Sequence, residues 1–180
     1  RPLVTGALTP RAAMIFAIGL EIVAFLVLWA GANLLAAVLA VSATLFYVFV
    51  YSLWLKRTSK QNIVIGGAAG AMPVLVGWAA VTNSLGWAPV VLFIVIFLWT
   101  PPHFWALAIR HADDYKAAGV PMMPVVVSLE RTVRSMTTYA VLLTLSTLVL
   151  VPVAELGWIY GITALVFGVA FVIGSVRLGS

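Results

Sequence analysis

Residues 88–109 read APVVLFIVIFLWTPPHFWALAI, a run without a single Lys, Arg, Asp or Glu. A helix needs about 20 consecutive apolar residues to cross a bilayer, so this run is long enough to span one. None of the apolar segments shows the period-2 alternation of membrane β-barrel strands. We expect spans near residues 12–29, 34–55, 63–81, 88–109, 134–152 and 156–176. The sequence therefore predicts an all-α, polytopic transmembrane helix bundle with six spans.

The composition excludes an ordinary soluble domain. Hydrophobic residues make up 64% of the chain and charged residues 8%, and the mean hydropathy is +1.17. A soluble chain carries about 25% charged residues, and so few charges cannot cover a surface that faces water. The chain has no cysteine, which rules out disulfides and thiolate metal sites within it. We expect membrane lipid around it and no nucleic-acid partner, because the net charge of +5 is explained more simply by membrane orientation.

The ten cations all fall on one side of a six-span bundle, which we call the basic end. They are Arg1, Arg11, Lys56, Arg57, Lys60, Arg110, Lys116, Arg131, Arg134 and Arg177. The breaks at the opposite, cation-free end (30–33, 82–88 and 153–157) hold no Lys or Arg, and Glu155 is their only charge. By the positive-inside bias, the basic loops and both chain ends face the cytoplasm. Glu21, midway along the first span, has no assigned role, and we expect it to be protonated and hydrogen-bonded to a neighbouring helix.

Polar residues concentrate in two places at the basic end. The first is YSLWLKRTSKQN (51–62), where Lys56, Arg57 and the Asn62 amide could together hold an anion such as phosphate. The alternative is a stop signal whose long side chains reach the membrane surface. The run GGAAGA that follows at 66–71 contains a GxxxG pattern, which favours close packing of helices.

The second cluster is HFWALAIRHADDYK (103–116). His103 lies within an apolar segment two turns before Arg110, so both fall on nearly the same helical face. An ionisable residue inside a span is a functional candidate, although a buried imidazole is more often structural. Asp113 and Asp114 are the only aspartates in the chain. They could coordinate Mg²⁺, which binds through one or two carboxylates and substrate phosphates, or they could simply be solvated.

Together the two clusters predict an apolar helical cavity with cations and acids at one mouth. An amphiphile with a phosphorylated head and a hydrocarbon tail would suit it. From the residues alone, lipid-phosphate chemistry, transport and a catalytically inert bundle all stay open.

Two long stretches carry a resemblance to a known family. They are YSLWLKRTSKQNIVIGGAAGAMPVLVGWAAVT (51–82) and LWTPPHFWALAIRHADDYKAAGVPMMPVV (98–126). Both closely resemble the protoheme IX farnesyltransferase (haem O synthase) branch of the UbiA-type intramembrane prenyltransferases. The resemblance runs through most of the chain and is strongest over residues 51–127.

The resemblance implies an enzyme, a bundle of about nine helices of which six are present. Such enzymes transfer a farnesyl group from farnesyl diphosphate to a vinyl group of haem b, giving haem O for terminal oxidases. Mg²⁺ is the implied cofactor, and haem b is a substrate. The implied location is the bacterial inner membrane rather than the mitochondrial one. Haem A synthase and oxidase assembly proteins are the protein partners that it suggests.

The resemblance also assigns roles to residues of this sequence. Asp113 and Asp114 match the second acidic motif, as catalytic residues and metal ligands. His103 lies in the PPHFW signature of the haem-modifying branch and is the third catalytic candidate, with placing the haem or its vinyl group as the implied role. The diphosphate-binding candidates are Lys56, Arg57, Asn62, Arg110 and Lys116. The candidates for lining the prenyl chain and its cation are Tyr47, Tyr51, Trp54 and Trp105, each with interfacial or packing aromatics as the alternative.

The sequence departs from the superfamily pattern in two ways. The positions four after the aspartates are Ala117 and Ala118, so a DxxxD motif is not formed, and the first acidic motif is absent. We therefore expect residues 1–180 to be a single, incomplete prenyltransferase domain, about two thirds of the enzyme and inactive alone. The alternatives are a prenyltransferase for a quinone-precursor aromatic and a non-catalytic membrane transporter or scaffold.

Overall fold

The computed structural model describes residue 3 and residues 5–178 of the chain. Within these residues there is no strand, and six helices are long and apolar enough to cross a membrane, which confirms the predicted all-α bundle. The six spans, numbered in chain order, are Pro10–Gly31, Leu34–Thr58, Asn62–Thr82, Trp87–Arg110, Leu129–Val153 and Trp158–Arg177. Two short helices, Ala112–Ala117 and Met123–Val126, lie in the connection between the fourth and fifth spans.

Capping residues set several helix ends. The Ser128 hydroxyl accepts a hydrogen bond from the Arg131 N–H at 3.4 Å, and Glu130 lies in the first turn of the fifth span. The helix of the fifth span therefore begins before the apolar segment predicted at 134–152, because its first turn is formed by capping and charged residues. Asn33 caps the second span through its Oδ1, and its Nδ2 donates to the Ala79 carbonyl at 2.6 Å, tying the first break to the end of the third span.

Each span packs against the next one along the chain, and the contact between the fourth and fifth spans is the most extensive. The short breaks make neighbouring spans antiparallel. Nine of the ten cations therefore lie together at the basic end, while Arg1 falls outside the described residues. Glu21 is half-buried in the first span, and its side chain has no hydrogen bond to any residue that the structure describes, so the expected partner helix is not found there.

Two clusters of buried apolar residues lie at the basic end, where the connection after the fourth span folds back onto the bundle. Met122 packs against Ile63 and Ala108, and Met123 packs with Trp105 and Met136. Most other apolar side chains of the spans are exposed, and the first span has no buried residue. Lipid is the natural solvent for such surfaces.

Glycines of the third span allow close helix approach, which confirms that the small-residue run serves packing. The ring of Tyr51, from the second span, lies directly over Gly66. A Cβ at Gly67 would meet Thr100 of the fourth span at 3.1 Å, whereas one at Gly70 would enter open space. Gly66 therefore allows the second span to approach the third span closely, and Gly67 does the same for the fourth span.

The second span is α-helical at both ends and π-helical in its middle, from Phe46 to Leu55. The Lys56 N–H donates to the Tyr51 carbonyl, five residues back, as this wider geometry requires. Segments of this kind are rare and often lie at functional sites. Here the π-helical segment ends immediately before Lys56 and Arg57.

Candidate functional site

A cavity of about 870 Å³ opens at the basic end between the second, third and fourth spans and the following connection. It brings residues of both polar clusters together. Its charged and polar walls include Lys56, Arg57, His111 and Asp114, and its aromatic walls are Tyr51, Phe104 and Tyr115. We call it the basic-end cavity.

The charges of the basic-end cavity suit a polyanion held through a divalent ion. Arg57 offers paired N–H donors to phosphate oxygens, and Lys56 offers a point charge. Asp114 supplies a carboxylate to the wall of the same cavity. Among the described residues, no group of three or more His, Cys, Asp or Glu side chains could hold a metal alone. This donor set fits Mg²⁺, which commonly binds one or two carboxylates together with substrate phosphates.

The structure separates the two aspartates. Asp114 lines the basic-end cavity, and its Oδ2 lies 3.3 Å from the Nδ1 of His111. Asp113 is exposed and is not among the lining residues. Neighbouring residues of a helix point about 100° apart, which explains why only one of them faces the cavity.

His111 is a lining residue that the sequence reasoning missed. Its i,i+3 relation to Asp114 on one helical turn was the available signal. The pair is exposed and so contributes little to stability. His111 is of interest because it lies beside Asp114, the one carboxylate among the described residues that line the cavity.

Asn62 does not line the cavity but stands behind it. Its side chain is 1% exposed, and its Nδ2 donates to the Lys56 carbonyl at 3.3 Å. Its Oδ1 is buried without a hydrogen-bond partner in the described chain. Asn62 thus joins the end of the second span to the start of the third and holds the backbone that carries Lys56. Arg110 and Lys116 are exposed at the same end and are likewise not among the lining residues.

Of the four aromatic candidates, only Tyr51 lines the basic-end cavity. The Tyr47 ring contacts the Tyr51 ring, and the two ring centroids are 5.2 Å apart. Trp54 is 62% exposed, and Trp105 is 1% exposed in the core beneath the connection, edge-on to Tyr139. The aromatic wall contributed by the fourth span is instead Phe104, the direct neighbour of Trp105.

His103 lines a second, smaller cavity of about 320 Å³ between the fourth, fifth and sixth spans. Its ring stacks on Trp99, with centroids 4.2 Å apart, and meets Phe104 edge-on at 5.3 Å. Phe104 faces the basic-end cavity, so the His103–Phe104 pair forms the boundary between the two cavities. Charged side chains line the basic-end cavity, whereas the cavity beside His103 is lined mainly by apolar side chains.

Comparison with known proteins gives a consistent result. The model of the UbiA prenyltransferase family matches residues 1–179. The chain is 54% identical over 178 residues to a protein named protoheme IX farnesyltransferase from Gloeobacter violaceus, covering 99% of this chain and 58% of that one. It is 51% identical over 180 residues to the protein of that name from Parafrankia sp., covering 100% and 58%. It is 52% identical over 178 residues to protoheme IX farnesyltransferase 1 of Saccharopolyspora erythraea, covering 99% and 56%.

The chain thus spans somewhat more than half the length of these curated relatives. No solved structure matches it.

Proposed function

Because the chain belongs to the UbiA prenyltransferase family, we propose that the protein containing it transfers a farnesyl group from farnesyl diphosphate to a vinyl group of haem b, giving haem O. The observation that carries the proposal is the basic-end cavity, where Lys56, Arg57 and Asp114 face one space under the rings of Tyr51 and Phe104. The names of the relatives support the choice of both substrates.

The charged residues act on the leaving group. Breaking the allylic C–O bond sends its electron pair onto diphosphate, and Lys56 and Arg57 stabilise that negative charge. Mg²⁺, when bound to Asp114 and the diphosphate, supplies further positive charge there. Both aspartates of the motif are exposed, but only Asp114 is among the residues that line the basic-end cavity, so we assign the direct contact to Asp114.

The aromatic residues act on the farnesyl carbon. The allylic cation left by bond cleavage is stabilised by the faces of aromatic rings, and Tyr51 and Phe104 offer such rings beside the charges. The cation adds to the vinyl carbon of haem b, and water then adds to the adjacent carbon and loses a proton. These two steps account for the farnesyl group and the hydroxyl group of haem O.

We propose that the vinyl-bearing edge of the acceptor enters the cavity lined by His103, since about 320 Å³ is too small for the whole macrocycle. Its walls include Met136 and Phe171, which suit the apolar edge of a macrocycle better than a diphosphate. The His103–Phe104 pair then brings the vinyl group to the boundary where the farnesyl cation forms.

The positive-inside bias orients the bundle so that this boundary lies at the cytoplasmic face, here of a bacterial plasma membrane. Haem A synthase and oxidase assembly proteins are partners consistent with the product.

The test uses the full-length protein in lipid nanodiscs, supplied with farnesyl diphosphate, haem b and Mg²⁺. We expect haem O and diphosphate in equal amounts, and neither after the metal is chelated. Diphosphate release only with an aromatic quinone precursor would assign the quinone branch instead. Haem or lipid binding without any diphosphate release would indicate a transporter or scaffold.

A glycine provides a prediction specific to this site. Gly66→Ala places a methyl group where the Tyr51 ring now lies, so that ring must move. We expect kcat/KM for farnesyl diphosphate to fall by about 10- to 100-fold, since small displacements of positioning groups have effects of this size. Gly70→Ala, one turn further on and facing open space, is the matched control and should stay near wild type.

A double-mutant cycle, with kcat and KM measured separately, tests whether Gly66 acts through Tyr51. In a Tyr51→Ala background the added methyl group has room, so Gly66→Ala should cause no further loss. If Gly66→Ala lowered kcat/KM equally with and without Tyr51, the interpretation that Gly66 acts through Tyr51 would be contradicted.

A further inference from the structure

A separate cavity of about 690 Å³ lies at the cation-free end, remote from the basic-end cavity. The third, fourth, fifth and sixth spans meet there. Its wall carries three aromatic side chains, Trp78, Trp87 and Tyr160, and one charged residue, Glu155. The farnesyl-transfer reaction uses none of these four residues.

Glu155 is held in a conformation that its residue type disfavours. It follows the C-terminus of the fifth span with a φ of 52°, in the left-handed region where glycine is usual at a helix end. The Leu156 N–H closes this turn by donating to the Val151 carbonyl at 2.9 Å. A carboxylate here also faces the negative end of the helix dipole. Local stability would favour glycine, and such departures tend to occur at functional positions.

The Glu155 carboxylate has no counter-ion among the residues that the structure describes. The sequence contains no Lys or Arg between residues 61 and 109, or between residues 135 and 176. In the described part of the chain, no ion pair involves Glu155. A cation that pairs with Glu155 is therefore not supplied by the residues that the structure describes.

The walls of this cavity select the kind of cation. Aromatic faces attract organic ammonium groups. Ca²⁺ needs six to eight oxygen ligands, and a single carboxylate among indole rings does not provide them. Tryptophans at a membrane boundary are expected in any case, but a membrane belt needs no carboxylate. The apolar side chains of Leu92 and Leu150 continue the same cavity towards the bilayer centre and suit an acyl chain.

We propose that this cavity binds a phosphatidylethanolamine lipid, with the protonated amine against Glu155 and between the rings of Trp87 and Tyr160. The headgroup amine donates hydrogen bonds to the carboxylate, which a choline group cannot do. The bound lipid comes from the leaflet at the cation-free end. The interaction joins the fourth span to the turn between the fifth and sixth.

The test measures lipids retained by the full-length protein in native mass spectrometry, after exchange into mixed phosphatidylethanolamine and phosphatidylcholine micelles. We expect a preference for phosphatidylethanolamine that falls at least fivefold in Glu155→Gln. Glu130→Gln, a carboxylate at the basic end paired with Arg134 at 3.2 Å, is the matched control and should keep the preference. Equal preference in wild type and Glu155→Gln would overturn the proposal, as would equal losses in both variants.

A second variant guards against simple misfolding. Glu155→Gly suits the left-handed turn, so we expect it to raise the thermal midpoint while removing the lipid preference. Trp87→Leu should weaken the preference, whereas Trp158→Leu, similarly exposed but outside the cavity, should not. A Glu155→Gly protein that retains the wild-type preference would refute the assignment, whatever its farnesyl-transfer activity.

Discussion

Replacement of Asp114 by Asn is expected to lower kcat for farnesyl transfer by about 10²- to 10³-fold, the range seen when one group that stabilises transition-state charge is lost. Asn keeps the size and shape of the side chain but removes the negative charge that, in the proposed mechanism, would hold Mg²⁺ and the diphosphate together. Because Asp114 is exposed at the mouth of the cavity, folding and membrane insertion should not change. Steady-state release of diphosphate, followed together with haem O, measures the effect.

Asp113→Asn is the control for this experiment. It alters the adjacent residue of the same short helix by the same chemical change, yet Asp113 is not among the residues that line the basic-end cavity. We expect its rate to stay close to wild type, with at most a higher Mg²⁺ requirement. A large loss in Asp113→Asn with little loss in Asp114→Asn would reverse the assignment and contradict the proposed metal position.

Lys56→Met is the second substitution with a large expected effect. Methionine preserves much of the apolar stem and removes the ammonium group from the cavity wall. A hydrogen bond to a charged group contributes about 1.5–3 kcal/mol, which corresponds to a fall of about 10- to 100-fold in kcat/KM for farnesyl diphosphate. Lys56→Arg should recover part of the lost kcat/KM, because arginine still offers a positive charge to phosphate.

Lys60→Met provides the comparison for the Lys56 experiment. Lys60 belongs to the same basic loop but is exposed and does not line the cavity. Equal losses in both lysine variants would show that the loop acts only through its overall charge. Raising the salt concentration separates the two cases further, since screening weakens a general field more than a contact.

The membrane architecture could be predicted because it rests on local signals. Apolar length sets the number of spans, and one-sided cations set their alternation. Ser128, the N-cap of the fifth span, and Glu130 in its first turn are residue types that are typical of a helix start. Each of these features is decided within a few residues of sequence, so no knowledge of distant contacts was needed.

The composition of the cavity wall could not be predicted, because it depends on which helical face meets which neighbour. The fourth span is apolar nearly all round, so periodicity did not show that Trp105 faces the core and Phe104 the cavity. The fold of the connection decides this by covering Trp105 with Met123. The same fold brings Asp114, but not Asp113, to the wall of the cavity that Lys56 and Arg57 also line.

The π-helical segment of the second span has a consequence for chain length in this region. Each residue of an α-helix advances the side-chain direction by about 100°. Deleting one residue between Phe46 and Val50 would let the wide turns relax to α-helix and rotate the preceding helix relative to everything that follows. The start of the span would then have to rotate against the neighbouring helices for Tyr51, Lys56 and Arg57 to keep facing the cavity. This stretch should therefore tolerate many changes of side chain but no insertion or deletion, so its length is as much a part of the site as its residues.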